Sequence, residues 1–113
     1  MPGPTPPNPD LADLANLLGV DNVRILVRTF LREYPLMLVE MKTGDRKTQH
    51  RIAHSLKSNS RVVGARDLSA RMAALEARLA SEDEPDLTAR ECAEIEREFQ
   101  VVGHSLREFV EST

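Results

Sequence analysis

Apolar residues recur every three or four positions along almost the whole chain and nowhere alternate over a useful length, so helices are the elements that can bury them. The longest run is Val23, Leu26, Val27, Phe30, Leu31, Tyr34, Met37, Leu38 and Met41. It predicts an amphipathic helix that starts with Asp21 as N-cap and ends near Thr43-Gly44. Pro35 falls inside it, and its missing donor and ring clash predict a kink there, or two helices meeting at that point.

The remaining segments follow the same rule. Leu11, Leu14, Leu17 and Leu18 predict a short first helix, capped by Asp10 and leaving through Gly19-Val20. A third helix is expected from Asp45 to Val63, with Gly64 as its C-terminal cap. Asp67 is placed as the cap of a fourth, whose buried stripe is Leu68, Met72, Leu75 and Leu79, and the acidic turn SEDEP (81–85) stops it. Thr88 and Glu91 offer a capping box for a last helix that turns Ile95, Phe99, Val102, Leu106, Phe109 and Val110 inward. The fold class is therefore all-α: an antiparallel four-helix bundle with an additional short N-terminal helix, over residues 10–113. Five of the seven prolines lie in residues 1–9, which read as a flexible tail.

A chain of 113 residues is one domain. Its single cysteine, Cys92, excludes an internal disulfide framework and a Cys-rich zinc module, and reads as a packing residue. No apolar run approaches the roughly 20 residues of a membrane span, and the N-terminus lacks the pattern of a secretory signal. A cytoplasmic monomer is the expectation, and the initiator Met with its proline-rich start favours a freestanding chain. There is no Trp, and the four aromatics give no base-stacking platform.

The net charge of −3 conceals an uneven distribution. From Lys42 to Arg78 there are nine Lys/Arg against three Asp/Glu, while the rest of the chain holds six against fifteen. Stepping about 100° per residue along the third helix puts Lys47, His50, Arg51, Lys57, Ser58 and Arg61 within about 60° of His54. Ile52, Leu56, Asn59 and Val63 fall on the opposite, inward side.

A neutral imidazole on such a face keeps a nitrogen lone pair at pH 7 and is a competent nucleophile. Lys57, one turn on, would neutralise an anionic group carried by the His54 ring, and His50 and Arg61 extend the positive field. A phosphoryl group suits that setting, because its transfer depends chiefly on positioning and charge stabilisation. A plain solvated helix face produces the same pattern and is the commoner case. His50 and His54 stand at the i, i+4 spacing of a zinc pair, but no third ligand is near and the neighbours are cationic, so no metal is expected. Salt-dependent nucleic-acid binding by the basic segment is opposed by the acidic remainder, and none is expected. His104 has no acidic partner fixed by spacing and reads as a surface or packing residue. No phosphate-cradling glycine loop is present, so no nucleotide or other cofactor is expected on this chain.

The stretch from Ala53 to Leu68, AHSLKSNSRVVGARDL, resembles the signature of histidine-containing phosphotransfer (HPt) domains, roughly A-H-x-L-K-G-[SA]-[SA]-x-x-[LIVF]-G-A-x-x-L. Leu75-Glu76 matches the L-E that follows in that family, and the resemblance extends from Asp10 to the C-terminus. It implies a four-helix bundle whose histidine, here His54, accepts a phosphoryl group from a receiver-domain aspartate and passes it to another receiver, or back. Lys57 would then support the phosphoryl oxygens, with His50, Ser58, Arg61 and Gly64 supporting or facing the partner. The chain would be a carrier rather than an enzyme, its partners being receiver domains and a (hybrid) histidine kinase, with Mg²⁺ and the acidic pocket on the receiver. Leu31, Tyr34, Leu38 and Val39 are candidate docking residues where they are not core.

Two positions depart from the signature. Ser58 stands where the family has Gly, and Asn59 where it has a small residue, whose inward amide would need a partner. A non-phosphorylated helical module that docks on a receiver or kinase is the alternative reading.

Overall fold

The computed structural model describes residues 5–111. Five helices form in it: α1 (Pro9–Leu18), α2 (Val20–Thr43), α3 (Arg46–Val62), α4 (Arg66–Leu79) and α5 (Ala89–Glu111). No strand occurs among the described residues. Cross-helix pairs fix the arrangement. Glu40 meets Arg51 between α2 and α3, and His54 meets Glu76 between α3 and α4. Arg71 meets Glu98 and Arg78 meets Glu91 between α4 and α5, and Tyr34 stacks on Phe99 between α2 and α5. Numbers rise on one helix as they fall on its neighbour, and Arg24 near the start of α2 donates to the Val110 carbonyl near the end of α5. Thus α2–α5 form an antiparallel ring of four, with α1 laid against α2.

The centre is aromatic where α2 and α5 meet. The Tyr34 and Phe99 rings stack with centroids 4.6 Å apart and 6° between planes, and Phe30 tilts against both. Leu56 from α3 and Leu68 and Met72 from α4 complete the core, with Ile95 and Leu106 from the rest of α5. Tyr34 is therefore core and not a docking residue, while Leu31 and Leu38 are half-buried against it. Pro35 does not divide α2, which runs unbroken across it. Tyr34 and Met41, buried on either side of Pro35, hold both halves of the helix to the same core.

Several caps differ from expectation. The first helix starts at Pro9, not after Asp10, because the Asn8 side chain accepts from the Leu11 amide. Residues 1–4 of the expected tail lie outside the described residues. Asp21 and Asp67 are first-turn residues and not caps. Gly19, at φ +88°, passes the chain directly from α1 into α2, and Ala65 precedes α4. Both aspartates still favour their helices through the macrodipole. Asp45 caps α3 through the Thr48 amide, as expected. Thr88 and Glu91 form the reciprocal capping box. Leu17, at 81 % exposure, and Leu18 project away from the core that holds Leu11.

The α3–α4 corner is built by Gly64. Its amide bonds to the Arg61 carbonyl (3.1 Å) and the Ala65 amide to that of Ser60 (2.9 Å), the two bonds of a Schellman turn, with Gly64 at φ +77°. Asn8 lies over this corner and donates to the Val63 carbonyl at 2.8 Å. At the other end of α4, Arg46 from α3 donates to the carbonyls of Arg78 and Leu79, satisfying the last turn.

Candidate functional site

α3 presents His54 to solvent because its inward positions, Ile52, Ala53, Leu56 and Ser60, are taken by the core. These centre the buried face further towards α4 than simple helical stepping suggests. Asn59, expected to point inward, is in fact exposed, and its amide lies 3.8 Å from the Met37 sulfur. The buried polar side chain of this helix is Ser60 instead.

The His54 side chain is 60 % exposed, yet its ring is held. Nδ1 lies 2.5 Å from Glu76 Oε2, and the other oxygen of that carboxylate receives Lys57 Nζ at 2.6 Å. Leu75, buried beside it in α4, fixes where Glu76 emerges. The lysine, and after it the histidine, hold the Glu76 carboxyl below the usual carboxylate range. An ionised carboxylate only accepts, so the shared proton sits on Nδ1 and the Nε2 lone pair is left on the solvent side of the ring. The site thus combines an oriented, exposed nitrogen nucleophile with adjacent cations.

The expected site residues are only partly brought together. Lys57 joins His54 through Glu76. Ser58 is exposed one turn beyond the histidine. Arg61 is exposed and lines a groove with Lys57 and Ser58. His50 is half-buried and turned to a separate depression with Arg46, Lys47 and Leu79. Gly64 lies in the corner and shapes the backbone. Glu76 is the residue whose role the sequence reading missed. Its signal was the matched L-E pair, but the contact it makes bridges 22 positions.

Among the described residues, no group of three or more His, Cys, Asp or Glu is placed to hold a metal ion. No helix there is long and apolar enough to cross a membrane. His104 lies on the surface, but it does have an acidic neighbour, Glu108 Oε1, 2.8 Å away one turn on. Cys92 is half-buried, and burial pushes its thiol pKa up.

The family model of the Hpt domain matches residues 9–105 of the chain. The chain therefore belongs to the Hpt domain family, whose members are phosphotransfer carriers of two-component phosphorelays and work with receiver domains and kinases. No curated protein and no solved structure matches it.

Proposed function

We propose that His54 is the phosphoacceptor of this carrier, taking a phosphoryl group from a receiver aspartate and yielding it to another receiver, or back. The observation that carries the reading is the His54–Glu76 pair, which commits Nδ1 to the carboxylate and frees Nε2. The Nε2 lone pair attacks phosphorus, the N–P bond forms as the acyl P–O bond breaks, and the aspartate leaves as its carboxylate. The ring becomes cationic, and Glu76 stabilises that charge through the Nδ1 proton. Mg²⁺ and the acidic pocket belong to the receiver, and this chain contributes no cofactor.

Lys57 is the nearest cation, and it supports the phosphoryl oxygens by exchanging Glu76 for them once the dianion is in place. Ser58, four residues on, offers its hydroxyl on the same side in place of the family's glycine. For docking, Leu36 is a better apolar anchor than Leu31, Tyr34 or Leu38, being 62 % exposed. It lies one turn before Glu40, which pairs with Arg51, and so shares the flank of α2 that meets α3. Val39 is equally exposed but lines a depression with Cys92 and Phe99 on the α5 side. The setting is the cytoplasm, with the chain acting as a monomer.

The test is incubation with phosphorylated receiver domains followed by detection of an acid-labile label. The label is expected on wild type and absent from His54→Gln. Label that persists in that variant overturns the assignment. Tight receiver binding with no label on wild type would favour the alternative, a docking module that carries no phosphate.

A further inference from the structure

We infer that the groove between α3 and α4 is a slot for one acidic side chain of the receiver partner, which extends the docking surface from His54 onto α4. This rests on the phosphoacceptor reading. The groove encloses about 700 Å³ and begins one helical turn beyond the histidine, with Lys57, Ser58 and Arg61 on one wall and Arg66 on the other. Ala70 and Ala73 leave the α4 side low, so a chain approaching from above meets no bulky side chain.

Three cations line this groove, and two are already matched within the protein. Lys57 is held by Glu76, and Arg66 binds Asp10 through two parallel contacts of 2.8 Å. The Arg61 side chain makes no hydrogen bond or ion pair among the described residues and feels Asp10 only at longer range. It is seven residues beyond His54, or about 10 Å along the helix axis at 1.5 Å per residue. A receiver that brings its aspartate to Nε2 covers this point with the neighbouring surface of its own acidic mouth.

Charge decides what fits. Asp10 shows that a carboxylate is accepted at the far end of the groove, in the bidentate geometry that guanidinium favours. Asp10 already sets one carboxylate at the far end of the groove and Glu76 another against Lys57, so a polyanion such as a nucleic-acid backbone meets repulsion where a single carboxylate does not. An isolated exposed ion pair is worth little, and the contact gains its value from being made together with the His54 interface.

The experiment compares two routes of labelling: phosphoramidate, a small donor that needs no docking surface and whose label on His54 is read as the excess over His54→Gln, and phosphorylated receiver domains from the same genome. In Arg61→Glu, and in Ala70→Glu, which sets a carboxylate at the groove's lip, the ratio of receiver-driven to phosphoramidate-driven labelling is expected to fall about tenfold. Arg61→Lys should stay within about twofold of wild type, and rising salt should slow receiver transfer less in Arg61→Glu than in wild type. Wild-type ratios in both glutamate variants, for every receiver that labels wild type, overturn the slot and leave the phosphoacceptor reading standing. If receiver domains fail to label wild type, or label His54→Gln equally, the underlying reading falls and this inference with it.

Discussion

Glu76 and His54, on antiparallel helices and 22 positions apart, are joined by a 2.5 Å contact between Oε2 and Nδ1. The same carboxylate holds Lys57, so one acidic side chain both orients the imidazole and occupies its neighbouring cation. Orientation of a reactive histidine by a carboxylate on its second nitrogen is a general device for choosing which nitrogen carries the proton.

Removing that carboxylate should change the tautomer before it changes the fold. In Glu76→Ala, long-range ¹⁵N–¹H spectra should show Nδ1 losing its predominant proton occupancy, and phosphotransfer should slow by about 10- to 100-fold. Glu76→Gln can still accept from Nδ1 through its amide oxygen, so it should keep the tautomer and lose less rate. An unchanged tautomer in Glu76→Ala would show that the contact does not direct the ring.

The Tyr34 hydroxyl is buried in the core, and burial pushes its pKa well up. It faces the equally buried hydroxyl of Ser60, and neither makes a well-formed hydrogen bond. Replacing both by groups of the same shape without the oxygen should therefore cost nothing. Tyr34→Phe/Ser60→Ala is expected to match or exceed wild-type stability in urea melts, whereas Tyr34→Ala should lose about 3–5 kcal/mol through the cavity opposite Phe99. A loss above about 2 kcal/mol in the double variant would mean that the two hydroxyls do support each other.

The helices and the core were legible in the sequence because burial imposes a period, and Leu68, Met72, Leu75 and Leu79 lie where that period puts them. The exposed histidine was legible for the same reason. Helix starts were harder to read, because Asp10, Asp21 and Asp67 are all chemically suitable caps. The choice among neighbours was made by tertiary geometry instead: Asn8 reaches Val63, Gly19 turns at positive φ, and Ala65 completes the corner begun by Gly64. Asn59 was misplaced because helical stepping gives angles between residues without saying where the core lies. The packing of α3 on α4 moves that centre towards Ala53 and Ser60. The role of Glu76 needs two helices in register, which no local pattern encodes.

Gly64 should tolerate substitution poorly, for two separable reasons. Its φ of +77° disfavours any side chain, and a Cβ there would run into the Asn8 amide. Gly64→Ala is expected to lose more than the roughly 1–2 kcal/mol of the left-handed conformation alone. Asn8→Ala removes the obstacle along with the cap, so Asn8→Ala/Gly64→Ala should be less destabilised than the sum of its single variants. Strict additivity in denaturant melts would dissociate the corner from the N-terminal clamp.

Acid should weaken the α4–α5 contact through Glu91. The Arg78 guanidinium, bonded to both oxygens at 2.6 and 2.8 Å, holds the Glu91 carboxyl down at about 2, and the Thr88 amide adds to it. A carboxylate depressed in the folded state binds fewer protons there than in the unfolded chain. Its contribution is thus fully present above the unfolded value of about 4.5 and is lost as pH falls through about 2. Urea midpoints should decline across that window in wild type. Glu91→Gln removes this group's titration and should lower stability near neutral pH by about 1 kcal/mol, flattening the decline. Asp10, Asp45 and Glu76, also held low by their partners, will leave a residual slope in that variant. An identical slope in wild type and Glu91→Gln would show that the Arg78 pair does not couple to folding.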